Sequence, residues 1–149
     1  MKLSTLILLL SLLFSPQANA EPKKKDKKTD LASQLVGKWT YVSGVRGGKK
    51  VAKERLAGVV TIGKDVFTVP GGPNMVFKMA YKLGKGKPAT IDLDIKSGPV
   101  NEGKAQGIIA IKKDKLMICY VPAPGKRPKA FKSTKDNGAF YFVLKRAKK

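Results

Sequence analysis

The stretch LVGKWTYVSG (Leu35–Gly44) holds the only tryptophan of this 149-residue chain, Trp39. It follows TDLASQL (29–35), whose polar start and apolar spacing predict one or two helical turns that end at Gly37. After Gly37 the pattern changes to the alternation of apolar and polar residues that is typical of β-strands. Trp39 therefore stands where a short helix gives way to a first strand.

Segments with this period of two continue to the end of the chain and are separated by turn signals rich in Gly, Pro, Asn and Asp. They predict eight strands, at Lys38–Val45, Gly58–Gly63, Asp65–Val69, Met75–Leu83, Ala89–Lys96, Lys104–Lys112, Lys115–Pro122 and Gly138–Arg146. Many strands joined mostly by short loops are typical of an antiparallel up-and-down meander that closes on itself. We therefore predict an all-β, eight-stranded antiparallel barrel over residues 30–149, with a short helical turn at its N-terminal side.

The alternation within the strands also predicts which side chains point into the barrel. The predicted lining residues share the inward parity of their strands and are apolar or aromatic: Met75, Phe77, Met79, Tyr81, Ile91, Leu93, Leu116, Ile118, Tyr120 and Phe142. Thioethers and aromatic rings suit a small hydrophobic ligand held in the mouth of a barrel. The same side chains could instead fill the interior as a packed core. The sequence leaves both interpretations open.

The last strand places an arginine among apolar residues. Arg146 shares the predicted inward face of Phe140, Phe142 and Leu144. A charge on an apolar face needs a partner, because an unpaired buried charge costs several kcal/mol or more.

A GKW motif (37–39) after a helical turn, with an arginine near the end of the last strand, resembles the Gly-x-Trp signature of the lipocalins and their calycin relatives. The resemblance implies that Trp39 closes the base of an eight-stranded barrel. It also implies that the Arg146 guanidinium packs across the indole and donates hydrogen bonds to carbonyls of the first helical turn. Gly37, Trp39 and Arg146 are thus the expected closure residues.

Residues 35–146 are closer still to a group of exported lipocalin-like domains found in planctomycete bacteria. The likeness is carried by LVGKWTYVSG, by IDLDI followed by GPVNEGKAQGI, and by DKLMICYVP, RPKAF and FVLKR. It spans nearly the whole chain after the N-terminal segment. What it implies is the fold and export, with no activity to carry over.

The first twenty residues, MKLSTLILLLSLLFSPQANA, join a charge at Lys2 to an apolar run and end in Ala18-Asn19-Ala20. This predicts a secretory signal peptide, residues 1–20, cleaved after Ala20. The apolar run is shorter than the roughly 20 residues that a membrane-spanning helix needs, so we predict no transmembrane segment. Residues 21–29, EPKKKDKKT, predict a disordered lysine-rich leader. We expect a secreted or periplasmic protein.

The chain is strongly basic, with 31 Lys and Arg against 10 Asp and Glu and a formal net charge of +21. Such a charge attracts polyanions, which gives an alternative function: an adhesion or interaction module that holds acidic polymers or anionic surfaces through its lysines. Most of the basic residues are lysines, which lack the planar fork with which arginine reads bases. Specific nucleic-acid recognition is therefore disfavoured.

The residues that usually carry catalysis are scarce. The chain has no histidine, the commonest general base and a common zinc ligand. Its one cysteine, Cys119, lies in a predicted strand and is expected to be buried. Asp92 and Asp94 of IDLDI are two residues apart and share the outward face. The sequence therefore predicts a non-enzymatic protein with no catalytic residues, no metal site and no cofactor.

Overall fold

A computed structural model of the chain describes residues 30–72, 74–97 and 103–148. The predicted signal peptide (1–20) and leader (21–29) lie outside these residues. The described part begins with helix α1 (Leu31–Leu35) and continues as strands β1 (Gly37–Arg46), β2 (Lys49–Lys50), β3 (Val59–Ile62), β4 (Val66–Gly72), β5 (Met75–Leu83), β6 (Ala89–Ser97), β7 (Gly103–Lys112), β8 (Lys115–Pro122) and β9 (Phe140–Arg146). A 3-10 helix, Lys53–Leu56, lies between β2 and β3. None of the helices in these residues is long and apolar enough to cross a membrane.

The strands form a closed barrel. Each strand from β3 to β8 pairs antiparallel with the next strand in the chain. β1 pairs with β3 on one side and with β9 on the other, which closes the ring. The short β2 only extends β1 as a hairpin. The predicted eight-stranded, antiparallel up-and-down barrel with a short helical turn before it is confirmed.

Six of the eight predicted strands differ from the observed ones by one to three residues at one or both ends, and only Met75–Leu83 and Lys115–Pro122 match at both. β5 has the predicted bounds, whereas β4 runs on through Gly71 and Gly72, which the sequence placed in a turn. A register irregularity at Pro70/Gly72 lets the chain bend there while it stays paired with β5. β9 begins at Phe140 and not at Gly138, because Gly138 has a φ of +57° that a strand cannot hold.

Trp39 closes the base of the barrel, where β1 begins. Its side chain is 1% exposed, and its Nε1 donates a hydrogen bond to the carbonyl oxygen of Leu35 at 2.8 Å. The Arg146 guanidinium lies over the indole, with its Cζ 4.1 Å from the ring centroid. Arg146 also donates to the carbonyl oxygens of Val36, at 2.8 Å, and of Gln34. The predicted contact between the first and last strands is therefore confirmed.

Gly37 leaves room for this contact. It has a φ of +137°, which side-chain-bearing residues rarely adopt. A Cβ at Gly37 would lie 2.5 Å from an Arg146 guanidinium nitrogen. A larger residue here would push the guanidinium away from the carbonyls of the helical turn.

Arg146 itself is exposed, so it is not the buried charge that its inward parity suggested. It comes at the last residue of β9, where the barrel wall ends and the side chain can cover the indole from the solvent side. A cation over an aromatic ring at an exposed site stabilises by about 0.5–1 kcal/mol. The guanidinium therefore keeps water off Trp39 without losing its own hydration.

The main core fills the base of the barrel. Its most buried members, each with 0–2% exposure, are Leu35, Trp39, Val60, Ile62, Ile91, Leu93, Ile109 and Leu116. They come from α1 and from strands around the whole ring, so α1 plugs the end that these strands surround. This end is sealed by side chains.

A second, smaller core lies outside the wall, where the segment between β8 and β9 crosses the outer face of the barrel. It joins Ile108, Cys119, Val121 and Ala139, with Phe131 and Tyr141 against them. Cys119 is buried as predicted, with its Sγ 3.6 Å from the Lys132 carbonyl oxygen, and burial raises the pKa of its thiol.

Arg127 fastens the same segment to β6. Its Nη2 lies 2.6 Å from Oδ1 of Asp92, and its Nη1 donates to the carbonyl oxygens of Ile91 and Gly107. Asp92 therefore points outward, as predicted, and forms an ion pair with a loop. Asp94, on the same strand, pairs with Lys96 at 2.5 Å.

Replacing Trp39 by Ala is expected to lower the free energy of unfolding by about 3–5 kcal/mol, because a fully buried indole is lost from the base. Arg146→Ala is expected to cost less, about 1–2 kcal/mol, since the guanidinium is exposed. Urea unfolding measures both values. Lys145→Ala is the control, because Lys145 is an exposed neighbour of Arg146 with an outward side chain. If Arg146→Ala unfolds at the same urea concentration as Lys145→Ala, the closing role of Arg146 is contradicted.

Candidate ligand site at the open end of the barrel

The two ends of the barrel differ in how far water reaches the inward side chains. At the base the core side chains Trp39, Ile91 and Leu116 are nearly inaccessible, although Leu83 and Ile111 at the same end are only partly buried. At the other end, which we call the mouth, Tyr41, Tyr120, Phe140 and Phe142 point inward and yet are only partly buried. An inward side chain keeps accessible surface only where a water-sized probe can reach it. The accessible inward side chains at the mouth are therefore mainly aromatic.

Most of the predicted lining residues lie in or against the main core. These are Met79, Tyr81, Ile91, Leu93, Leu116, Ile118, Tyr120 and Phe142. Met75 is 40% exposed at the rim of the mouth, and Phe77 is partly buried beside Gly71. That any of these residues binds a ligand stays a prediction.

Tyr81 belongs to the base and not to the mouth. Its hydroxyl donates to the carbonyl oxygen of Gly63 at 2.9 Å, and its ring meets Phe67 edge-on with centroids 4.9 Å apart. The hydroxyl thus ties β5 to the turn between β3 and β4. The Tyr81 hydroxyl therefore already donates its hydrogen within the fold.

The mouth holds a row of three side chains from neighbouring strands. Arg46 of β1, Phe140 of β9 and Tyr120 of β8 are paired in register. The Arg46 Cζ is 4.7 Å from the Phe140 centroid, and the Tyr120 ring stacks on Phe140 at 5.2 Å with 5° between their planes. The Phe140 ring therefore connects a cation to a phenol.

Below this row, Phe142 packs against two tyrosines. Its centroid is 5.4 Å from that of Tyr41 and 6.3 Å from that of Tyr120. We call Arg46, Tyr41, Tyr120, Phe140 and Phe142 the mouth cluster. It combines an apolar floor with one guanidinium and two hydroxyls.

Arg46 faces the mouth because β1 contains a bulge. Trp39 and Tyr41 point inward, so regular alternation would turn Arg46 outward. The pairing with β9 shifts between Tyr41 and Ser43, and this extra residue brings Gly44 and Arg46 to the inner face. A Cβ at Gly44 would lie 2.7 Å from the Phe142 ring, so the glycine makes room for that ring. Sequence reasoning missed Arg46, because a bulge leaves no compositional signal in β1. It also missed Tyr41, although Tyr41 shares the inward parity of Trp39.

Burial controls the ionisation of the mouth tyrosines. Desolvation raises the pKa of Tyr120 to about 12, partly opposed by the positive charge of Arg46. Desolvation also raises the pKa of Tyr41, and the nearby Tyr120 adds to this rise. Neither hydroxyl has a hydrogen-bond partner within residues 30–72, 74–97 and 103–148. Both phenols are therefore neutral donors at ordinary pH.

Backbone contacts just outside the Arg46–Phe140 pair hold the rim. The Gly47 amide donates to the Ala139 carbonyl oxygen at 3.1 Å. Ser133 accepts from the Gly48 amide at 3.2 Å and donates through its hydroxyl to Ala139 at 2.6 Å. The end of β1 is thus fixed to the start of β9, which positions the mouth cluster before any ligand arrives.

No family model, curated protein or solved structure matches this chain. Functional assignment therefore depends on the geometry of its surfaces. Among the residues that the structure describes, no group of three or more His, Cys, Asp or Glu is placed to hold a metal ion.

A groove of ≈ 430 Å³ lies at the other end of the molecule, beside α1. Leu31, Pro88 and Phe131 are among its lining residues, and its only charged groups are Lys87 and Lys112. Since Phe131 and α1 lie outside the ring of strands, this groove is separate from the mouth. It contains none of the predicted ligand-lining residues.

The outer face at the base carries a row of lysines. Lys112, Lys115 and Lys145 are directly paired across β7, β8 and β9, and all three are exposed. Like charges opposite each other on a sheet are destabilising. Within the described ranges the ion pairs are Asp94–Lys96 and Asp92–Arg127, so this lysine row has no acidic partner there.

The raised tyrosine pKa values predict a loss of stability at high pH. In the unfolded chain the phenols ionise near pH 10, whereas folded Tyr120 holds its proton to about pH 12. Between these values the unfolded state binds fewer protons, so the free energy of unfolding falls as pH rises. The fall should be shallower in Tyr120→Phe than in the wild type, as measured by urea unfolding at several pH values.

Lysines titrate in the same range, so only the difference between variants is informative. Tyr141→Phe is the matched control, because Tyr141 lies on the outer face with a smaller rise in pKa. Near-ultraviolet phenolate absorbance should lose the component that titrates near pH 12 in Tyr120→Phe and keep it in Tyr141→Phe. Identical titrations of the two variants would contradict the burial of the Tyr120 hydroxyl.

Proposed function

We propose that this protein is an exported, non-enzymatic, lipocalin-like barrel that binds a small, mostly apolar molecule in its mouth. The observation that carries the proposal is the mouth itself, where four inward aromatic rings keep accessible surface, whereas Trp39 is almost fully buried at the base. A site with an apolar lining and a few placed polar groups is the usual form of a small-molecule pocket. The mouth has this form.

The rest of the molecule supports a binding role over catalysis. Asp92 and Asp94 are on the outer face, where each forms an ion pair. The Cys119 thiol is covered by the segment between β8 and β9, and burial raises its pKa. The inward side chains of the mouth cluster include an arginine and two neutral phenols, which bind and orient better than they exchange protons near neutral pH.

Export is part of the same proposal. The N-terminal signal-like segment and the likeness to exported lipocalin-like domains support it. A lone buried cysteine that needs no disulfide partner is compatible with an oxidising compartment. Mass spectrometry of the protein from its own host should give an N-terminus at Glu21. A mature chain that still begins at Met1 would contradict export through this segment.

The binding proposal is tested by filling the mouth. Ala105 is a half-buried inward residue of β7, paired with Pro122 near the mouth. Ala105→Phe should weaken the binding of a neutral fluorescent probe, N-phenyl-1-naphthylamine, by about tenfold or more, equivalent to about 1.4 kcal/mol. Fluorescence titration measures the affinity, and circular dichroism checks that the variant is folded.

Ala80→Phe is the matched control. Ala80 lies on β5 between Lys78 and Lys82, so its side chain is on the outer face. This variant should bind the probe as the wild type does. If a folded Ala105→Phe protein binds the probe as tightly as Ala80→Phe, the probe does not enter the barrel and the proposed site is wrong.

The lysine row favours a second candidate function, the binding of an acidic polymer at the base. Three like charges in register repel each other, and a polyanion laid across β7, β8 and β9 would relieve this repulsion. The remaining lysines add long-range attraction. This function involves the outside of the base and therefore does not compete with the mouth.

Changing Lys115 and Lys145 together to Gln should lower the salt concentration at which the protein elutes from a heparin column. Lys78 and Lys82 of β5, changed together to Gln, provide a control with the same change in net charge. If the lysine row is a binding site, the shift in elution should be clearly larger for the Lys115 and Lys145 variant, because each contact with an anionic group adds to the salt dependence. Equal shifts would mean that only net charge matters and would remove the row as a site.

A further inference from the structure

We propose that the mouth cluster binds the carboxylate head of an amphipathic ligand, with Arg46 as its countercharge and the hydroxyls of Tyr120 and Tyr41 as hydrogen-bond donors. This inference rests on the proposed function and specifies the class of ligand: an anionic amphiphile whose apolar tail enters the barrel. It is carried by donors that have no partner among the described residues and that belong to inward side chains at one end of the barrel.

The guanidinium of Arg46 is oriented but not neutralised. Its Cζ lies 4.7 Å from the Phe140 centroid, which fixes the group against the ring. It takes part in no ion pair or hydrogen bond with the other residues that the structure describes. Because the donors of a guanidinium lie in its plane, a group stacked on a ring keeps its edge available for a bidentate carboxylate.

The tyrosines complete the donor set. Tyr120, on the strand at the other side of β9, stacks on the same Phe140 ring. The positive charge of Arg46 is near enough to oppose the rise in the pKa of the Tyr120 hydroxyl. Tyr41 lies deeper, against Phe142. A carboxylate oxygen accepts strongly from neutral hydroxyls, and both phenols keep their protons well above neutral pH.

The cluster has donors but no anion of its own. It consists of one guanidinium, two phenols and two phenyl rings, whose charge is +1. The arginine at the base differs in this respect. Arg146 donates to the carbonyl oxygens of Val36 and Gln34, so its donors are already used by the fold. The anionic head is therefore expected at the mouth and not at the base.

Apolar side chains continue from the cluster into the barrel. Phe142 is followed along β9 by Leu144, and the strand beside it places Ile118 and Leu116 at the same levels. These residues lead from partly buried to almost fully buried positions. An amphiphile that enters tail-first would thus exchange the water around its tail for apolar contacts, while its head group stays with the donors at the rim.

The experiment compares two ligands that share a tail, dodecanoate and dodecan-1-ol, below their aggregation concentrations. Both are measured by displacement of N-phenyl-1-naphthylamine from the full mature protein. The wild type should bind dodecanoate about tenfold or more tightly than dodecan-1-ol, as expected for hydrogen bonds to a charged group. Arg46→Gln should remove this preference, because it should weaken the binding of dodecanoate far more than that of dodecan-1-ol.

Arg55→Gln is the control for net charge, because Arg55 is an exposed residue of the 3-10 helix near the same end. It should keep the preference for dodecanoate. Tyr120→Phe and Tyr41→Phe should each lower the affinity for dodecanoate severalfold. Tyr141→Phe, on the outer face, should leave that affinity unchanged. All of these variants keep the size of the side chain close to that of the wild type, so folding is expected and is checked by circular dichroism.

The possible failures are distinguishable. If the neutral probe binds but dodecanoate and dodecan-1-ol compete equally, the head-group site is wrong and the apolar pocket remains. If Arg46→Gln and Arg55→Gln lower the preference for dodecanoate by the same factor, the preference comes from overall charge and the head-group site is also wrong. If neither the probe nor either ligand binds the wild type, the proposed function fails, and the head-group site fails with it.

Discussion

The seam between β1 and β9 is the contact on which the barrel depends, because it turns an open meander into a closed ring. An arginine lies over an aromatic ring at each end of this seam: Arg146 over Trp39 at the base and Arg46 over Phe140 at the mouth. The two arginines differ in their hydrogen bonds. Arg146 uses its donors on the carbonyls of the helical turn, whereas the donors of Arg46 have no partner among the residues that the structure describes. Closure and the proposed binding thus use the same kind of contact at opposite ends of one strand pair.

Much of this architecture could be predicted from the sequence, because it follows from local patterns. Alternation within β5, β6, β8 and β9 identified the inner face, and the GKW motif with a late arginine identified the base. The mouth could not be predicted in the same way. Whether Arg46 faces inward depends on one extra residue between Tyr41 and Ser43, and that bulge is set by pairing with a strand about a hundred residues later in the chain. A local pattern carries no information about it.

The tyrosines show why side-chain type alone did not locate the polar part of the site. Tyr81 and Tyr120 were both predicted to line the barrel, and both do. The hydroxyl of Tyr81 reaches the turn between β3 and β4 and is consumed there. That of Tyr120 has no partner among the described residues, and its ring stacks on Phe140 of the next strand, a ring that also lies under the Arg46 guanidinium. The difference arises from the level of each residue along its strand, which determines its neighbours.

The two candidate functions use opposite ends of the barrel. The lysine row lies on the outer face at the base, where β7 ends and β8 begins, and the mouth cluster lies where β8 ends and β9 begins. A polyanion held by the row would leave the mouth facing away from it, because the strands between them keep the two ends apart. The overall positive charge acts on both, since it attracts an anionic polymer to the base and raises the local concentration of an anionic amphiphile near Arg46. Attachment to an acidic surface and capture of a ligand are therefore compatible within one small barrel.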